Sequence, residues 1–412
     1  MIIKQKRNEL KQSGFGAIFY DEYTEESGGK YSFQEIVLAG LQDTLRVGSS
    51  PDTVYLLSKN KVMNMANPKL NLLRFIDLFV MNFYGFQKKF KYWLMFLVNK
   101  RYLVPSMDAI NLSYLVNKFD ISYVLSVSQL RFPFHVPFAT IIFDLAHIDK
   151  PWLPEIRKNG VLNGREIENG RVLKHASQII TGAQEHKKLM VQRYGINADC
   201  VSILPFPLEP CICDDGIISV PRDSNLIIYP AQFWPHKNHL TLVNAIAKLS
   251  CDFPKLRLLL IGGPRGGMES NVKNHISFLG LEKNIEMVGF LTRRKLLSLY
   301  HQANFMIFPS LLGPDNLPPL EAMVHGIPNI AISELSGTRD LHGEAFEYFD
   351  PMDLDSLVSV IRRLLTQTFP KKGQPWDHAS LQNSLTVQDY CKELSNILNN
   401  LRVQQLLERG GF

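Results

Sequence analysis

Short unbroken apolar runs alternate along this chain with segments of helical period. Runs of the first kind include Ala17–Tyr20, Val54–Ser58, Ser122–Val127, Phe138–Phe143, Gln178–Thr181 and Val201–Leu204. They resume at Leu226–Tyr229, Leu256–Ile261, Ile285–Phe290, Met306–Phe308, Asn329–Ile332 and Phe346–Asp350. Strands covered on both faces read as continuous apolar runs rather than as alternating ones. Between them, Tyr31–Leu45 carries Phe33, Ile36, Val37 and Leu41 at helical spacing. Arg171–Ser177, Glu185–Arg193, Leu240–Leu249, Arg293–His301, Asp353–Leu365 and the tail Trp376–Leu407 also read as helices. Strands alternating with helices predict an α/β protein with parallel sheets.

Four loops between these elements carry candidate chemistry. In FPSLLGPDNLPPLEAMVHGIPNI, Phe308 to Ile330, a strand ends in a Gly/Pro loop and a helix begins near Pro319, stopped by Gly326 and Pro328. A helix N-terminus behind a parallel strand is where open α/β sheets bind phosphorylated ligands. In PAQFWPHKNH, Pro230 to His239, Lys237 stands just before a helix, so its ammonium and the helix dipole face the same place. His236 and His239 flank it. Gly262 to Gly267 is a glycine-rich loop with Arg265 in it, and Gly28–Gly29 separates the first strand from the first helix.

Size and charge narrow the picture. With 412 residues and 45% hydrophobic content, two domains with two cores are expected. The formal net charge of +6 suits an anionic substrate or an anionic membrane surface and is too weak to argue for nucleic acid. Five cysteines with one close pair, Cys211 and Cys213, make a poor zinc signal and read as reduced thiols. No apolar leader precedes Gly14, so a cytoplasmic location is expected. Residues 71–102 mix many aromatics with Lys88, Lys89, Lys91, Lys100 and Arg101. This stretch is too charged to cross a membrane. It reads either as an amphipathic helix lying peripherally in the inner face of a plasma membrane or as a helix packed on its own domain.

The segment 308–330 resembles the donor-binding segment of family 4 glycosyltransferases, whose fold is GT-B. The pattern Pro-Ser-x-x-Glu-Gly-Phe-Gly-Leu-Pro-x-x-Glu-Ala, then Gly-x-Pro, is kept at Pro309, Ser310, Leu317, Pro318, Glu321, Ala322, Gly326 and Pro328. The family's first Glu falls on Gly313, and its Gly-Phe-Gly on Pro314, Asp315 and Asn316. In Gly-Arg-Leu-x-x-x-Lys, Lys237 is kept and Gln232 replaces the Arg. The resemblance implies an α/β fold of two Rossmann-like domains whose parallel sheets face each other across a cleft. It places an acceptor-side domain at 1–207, a linker at 208–224 and a nucleotide-sugar domain at 225–375. Residues 376–412 would cross back to the first domain.

Further expectations follow from the same resemblance. Glu321 would bind the ribose, with Gly289 and Phe290 at the base. Gly28, Gly29, Gln232, Lys237, His236 and Arg265 would lie at the phosphates. Gly313, Asp315, Asn316 and Leu317 would lie at the sugar, where Asp315 or loop backbone could replace the missing carboxylate. Asp144 and His147 match a strand-end segment at the interdomain cleft and, with Lys237, would be the catalytic residues, His147 contacting the acceptor or the donor sugar. The implied activity is retaining, metal-independent transfer of a hexose from a nucleotide-sugar donor, GDP-mannose or a UDP-sugar, with no cofactor. The acceptor would be a saccharide or lipid-linked molecule in bacterial surface polysaccharide or lipopolysaccharide synthesis. A nucleotide-sugar epimerase lacks its catalytic carboxylates here. A non-catalytic GT-B subunit that binds nucleotide or a partner enzyme stays open, because of Gln232 and Gly313.

Overall fold

The computed structural model describes residues 15–23, 29–47, 54–58, 62–64, 67–71, 86–90, 107–208, 221–265, 267–366 and 386–409. Its strands form two sheets. The first contains β1 (Phe15–Phe19), β2 (Val54–Leu57), β3 (Val62–Asn64), β4 (Asn67–Asn71), β5 (Ile121–Ser126), β6 (Phe138–Ile142), β7 (Gln178–Thr181) and β8 (Val201–Ile203), in the order β4-β3-β2-β1-β5-β6-β7-β8. The second contains β9 (Asp223–Pro230), β10 (Arg257–Ile261), β11 (Ile285–Gly289), β12 (Ala303–Phe308), β13 (Asn329–Ser333) and β14 (Glu347–Phe349), in the order β11-β10-β9-β12-β13-β14.

The second sheet is parallel throughout. The first departs from the expected parallel pattern at one edge, where β3 runs antiparallel to β2 and β4 antiparallel to β3. The segments VMN, only three residues long, and NPKLN, mostly polar, carry no buried-strand signature, so the apolar-run criterion passes over them.

Helices cover both sheets. In the first half these are α1 (Gly29–Val47), α2 (Met107–Lys118), α3 (Ala146–Asp149), α4 (Pro154–Arg157), α5 (Val161–His175) and α6 (Gln184–Tyr194). In the second they are α7 (His239–Leu249), α8 (Met268–Phe278), α9 (Arg293–Gln302), α10 (Leu317–Val324), α11 (Thr338–His342), α12 (Leu354–Thr366) and α13 (Val387–Arg409). Helix α5 starts ten residues before the predicted Arg171, directly behind Asn159 and Gly160, which both have positive φ. Its polar sequence, with only Asn169, Val172 and Leu173 buried, hides the helical period. Helices α2, α3, α4, α8 and α11 are additions to the elements the sequence predicts.

The strand faces and helices close separate cores. One gathers β9, β10, β12 and β13 with α7 and α12, around Tyr229, Ile246 and Phe308. Another joins α1, β1, β5 and β6 to Tyr390, Cys391, Leu394 and Leu398 of α13, so the last helix lies on the first sheet. Gly40 makes that packing close: a Cβ there would sit 2.7 Å from Cys391 Sγ. Among the described residues no helix is long and apolar enough to cross a membrane. Most of 71–102 lies outside the described residues. Within it, residues 86–90 are helical and Phe86 and Phe90 are exposed. Residues 209–220 of the expected linker and 376–385 of the expected tail also lie outside.

Candidate functional site

Chain direction reverses between β9 and β12 in the second sheet. The chain moves outward from β9 through β10 to β11, then returns to β9's other side as β12. Ligands of open α/β sheets bind at the carboxyl ends of strands beside such a switch point. Here the loop after β9 brings Lys237 and the loop after β12 brings Ser310 and Asn316. Lys237 Nζ donates to Asn316 Oδ1 at 3.2 Å and to Ser310 Oγ at 3.5 Å, and sits 5.1 Å from the centroid of the Phe308 ring. Burial pushes this ammonium down to about 8, against Asp315 and Asp144, which pull it upward. Asn316 also donates from Nδ2 to the Leu312 carbonyl at 2.7 Å, and it precedes α10, whose first turn contains Pro318 and Pro319. Gly313 is required by this arrangement: a Cβ there would meet Asn316 Nδ2 at 2.5 Å.

Two contacts carry side chains across the interdomain boundary. Glu155 of α4 accepts from the His236 backbone N–H at 3.1 Å and from His236 Nδ1–H at 2.6 Å, both on Oε1. Around it Leu153 and Ile156 pack with Leu311 and Leu312 of the second domain's loop. Asp315 reaches the first domain beside Gly182 and α6, with Oδ2 at 3.8 Å from His186 Nδ1. Burial raises the Asp315 carboxyl, and His186 only partly opposes that.

Asp144, after β6, is paired with Arg165 and accepts from the Ala146 N–H at 3.2 Å. Burial acts to raise its pKa, but Arg165 and Lys30 outweigh it and hold the carboxylate ionised. His147 turns the other way. Its Nε2 lies 2.8 Å from Tyr194 Oη and 3.4 Å from Asn169 Nδ2, inside the first domain, and burial pushes it down to about 4. The structure thus brings Lys237, Asn316, Asp315, His236 and Asp144 into one electrostatic neighbourhood and leaves His147 among the side chains of α5 and α6.

The remaining candidates lie around this centre. Gln232 accepts from Trp234 Nε1 at 3.0 Å. Gly262 is set against the loop after β9, since a Cβ there would fall 2.2 Å from the Ala231 carbonyl oxygen, and its N–H donates to the Gly289 carbonyl at 2.9 Å. Gly289 has a φ of 79° and Phe290 is exposed, on the same edge as Arg265. Glu321 and Leu317 lie on α10. Burial raises the Glu321 carboxyl while Arg293 and Tyr300 pull it down. Gly29 opens α1 with free space at its Cβ position, and Gly28 lies outside the described residues. His239 is buried and stacks on Phe233 with centroids 4.5 Å apart, a core position. Among the described residues no group of three or more His, Cys, Asp or Glu could hold a metal ion.

Sequence reasoning missed Glu155, Arg165, Lys30 and His186. Apart from Lys30, which directly follows Gly28–Gly29, each is an ordinary charged or polar residue with no motif around it. Their roles come from the docking of one domain on the other or from long-range pairing.

Comparison with known proteins fits this geometry. Residues 215–379 match the family Glycosyl transferases group 1. A D-inositol 3-phosphate glycosyltransferase of Corynebacterium efficiens is 23% identical over 181 residues, which cover 40% of this chain and 43% of that protein. The serotype-specific mannosyltransferase WbdA of Escherichia coli is 27% identical over 142 residues, 34% of this chain and 17% of that one. The chain therefore spans less than half the length of these relatives. Over nearly the whole chain, the structure of Anabaena Alr3699/HepE in complex with UDP aligns with a TM-score of 0.58 at 13% identity, covering 94% of this chain and 100% of that one. Residues 215–379 are thus similar to glycosyl transferases group 1, within a chain that has the two-domain GT-B fold.

Proposed function

We propose that this chain is a retaining, metal-independent glycosyltransferase. It moves a hexose from a UDP-sugar or GDP-mannose to a saccharide or lipid-linked acceptor in bacterial surface polysaccharide synthesis, on the cytoplasmic side of the membrane. The observation that carries the reading is the placement of Lys237 at the β9/β12 switch point, held by Asn316 and Ser310 at the mouth of α10. Departure of a nucleoside diphosphate builds negative charge on its phosphate oxygens. A preorganised ammonium in a partly dehydrated crevice stabilises that charge far more than it would in water.

In this reading Glu321 takes the ribose hydroxyls, Gly289 and Phe290 flank the base, and Gly29 and Arg265 face the phosphates. Asp315 and Asn316 meet the sugar, and Asp144, kept ionised by Arg165, faces the reacting carbon's side of the cleft. Retention is accounted for by attack on the same face that the phosphate leaves, with the phosphate oxygen taking the acceptor's proton. That route requires no protein nucleophile.

A second reading, a nucleotide-binding subunit without turnover, is favoured by one observation. Gln232 stands where a second cation is expected and is tied to Trp234. A panel of UDP-, GDP-, dTDP- and ADP-sugars, assayed for thermal stabilisation and for nucleotide release with and without EDTA, separates the two. Stabilisation with release that survives EDTA supports the transferase. Stabilisation without release by any donor and acceptor supports the subunit.

A further inference from the structure

We propose that Glu155 and His236 form a dyad assembled across the two domains. In it Glu155 is a positioning residue that fixes the His236 imidazole with Nδ1 protonated and Nε2 bare, so that Nε2 accepts a hydroxyl of the sugar substrate. The proposal rests on the transferase reading and extends it to two residues and a condition, that the domains be docked.

The geometry is specific. One carboxylate oxygen, Oε1, receives both the backbone N–H and the Nδ1–H of the same residue, at 3.1 and 2.6 Å. Two donations onto one oxygen lock the position of the turn Pro235–Lys237 as well as the ring's rotation. A carboxylate cannot donate, so the ring nitrogen facing it carries the proton, and in a neutral imidazole the other nitrogen is then an acceptor. Trp234 lies nearly parallel to the ring, with an interplanar angle of 20° and centroids 6.3 Å apart. His236 keeps 17% of its side chain exposed, so the ring is not sealed in. Its sequence neighbour is Lys237, whose Nζ marks the diphosphate position of the proposed donor. Lys237 acts electrostatically on the imidazole, so the acceptor nitrogen and that ammonium share one neighbourhood.

Glu155 belongs to the first domain and His236 to the second, so the tautomer is set only while α4 is docked on the Leu311–Leu312 loop. Separation of the domains leaves the imidazole free to exchange tautomers. Binding of substrate hydroxyl to Nε2 then favours the docked arrangement by the same free energy by which docking favours binding.

The charged groups facing His236 are Glu155, Lys237 and Asp144, with Arg165 behind Asp144. Burial lowers the imidazole pKa, and Lys237 adds to that, while Glu155 and Asp144 oppose it. The ring is therefore neutral near pH 7 and gains a proton, losing its acceptor, as pH falls.

The test uses the full chain, Glu155→Gln, Glu155→Ala and two readouts. Nitrogen-15 histidine spectra, with His236→Asn to assign the resonance, report the tautomer without any turnover. Wild type is expected as the Nδ1–H form near pH 7.5, and Glu155→Ala as a mixture of tautomers. A charged ring or an Nε2–H form in the wild type overturns the proposal whether or not the chain transfers sugar. Nucleotide release from UDP-glucose and GDP-mannose is the second readout. Glu155→Ala is expected to lower kcat about 10- to 100-fold. Glu155→Gln, whose carbonyl still accepts both N–H groups, retains most of it, with the acid limb of its pH profile moved to lower pH by loss of the anion. Unchanged kcat in Glu155→Ala with only a lowered Tm assigns Glu155 a purely structural role. Absence of turnover by wild type with every donor removes the transferase reading, and the spectra still decide the dyad.

Discussion

Lys237 Nζ, from the loop after β9, lies 3.2 Å from Asn316 Oδ1, from the loop after β12, so a hydrogen bond joins the two loops that flank the switch point of the second sheet. The bond is to a neutral amide, which orients the ammonium without cancelling its charge. Lys237→Ala removes the charge at the proposed diphosphate, and steady-state kinetics are expected to show kcat reduced on the order of 100- to 1000-fold with a smaller change in donor KM. A rise in KM with kcat intact would mean that Lys237 binds donor and transition state equally and does not serve the departure step.

The protonation of Lys237 sets a pH dependence. Its pKa is pushed down to about 8 by burial, so the free site loses its cation as pH rises through that value. Donor affinity measured by calorimetry is expected to fall above about pH 8. Asn316→Asp places an anion at the bond, which favours the ammonium and moves that alkaline limb to higher pH. The same anion repels the diphosphate and weakens binding at neutral pH. An alkaline limb that stays in place in Asn316→Asp would show that another group titrates there.

How much of this is legible in the sequence depends on the distance over which each feature is encoded. The strands of the second domain are continuous apolar runs, and a Pro/Gly loop followed by Leu317–Val324 is a local signal, so the sequence predicts both. Lys237 and Asn316 are 79 residues apart, yet each stands at a strand's carboxyl end, and the order of strands brings them together. Glu155 carries no such mark. It sits on a four-residue helix, and its meaning comes from a residue 81 positions away in the other domain. His147 misleads for a related reason. Its place after a strand suggests a cleft, but α5 and α6 supply Asn169 and Tyr194, which draw the ring into the first domain. The strands β3 and β4 escape because a short antiparallel extension of a sheet is held by backbone pairing and needs no long apolar run.

Gly182 tests the contact between the domains. A Cβ there would lie 2.6 Å from Asp315 Oδ2 and 3.3 Å from Phe206. Gly182→Ala is expected to cost about 1–3 kcal/mol and to lower Tm, by forcing Asp315 away from α6. Asp315→Ala removes the closest atom, so the double variant is expected to recover part of the loss. Additive effects in that cycle would show that Asp315 has moved clear of Gly182 in solution.

The neighbouring glycines after β10 give a sharper contrast, because they differ in space and hardly in sequence. At Gly262 a Cβ would fall 2.2 Å from the Ala231 carbonyl oxygen and 2.6 Å from its carbon, and both are backbone atoms that no rotamer change can move. At Gly263 a Cβ meets nothing within 4 Å. Gly263 touches the loop after β9 through its carbonyl, which accepts from the Phe233 N–H at 3.3 Å and which alanine would keep. Gly262→Ala must push apart the loop that leads to Lys237, so chemical denaturation is expected to show a loss of about 1–3 kcal/mol or more. Nucleotide affinity should fall with it, since the displaced Ala231 pulls on the turn that carries the ammonium. Gly263→Ala is expected to stay within about 0.5 kcal/mol of wild type. Equal stability of the two variants would mean that the loops do not approach as closely as the structure has them, and the seating of Lys237 would then need another support.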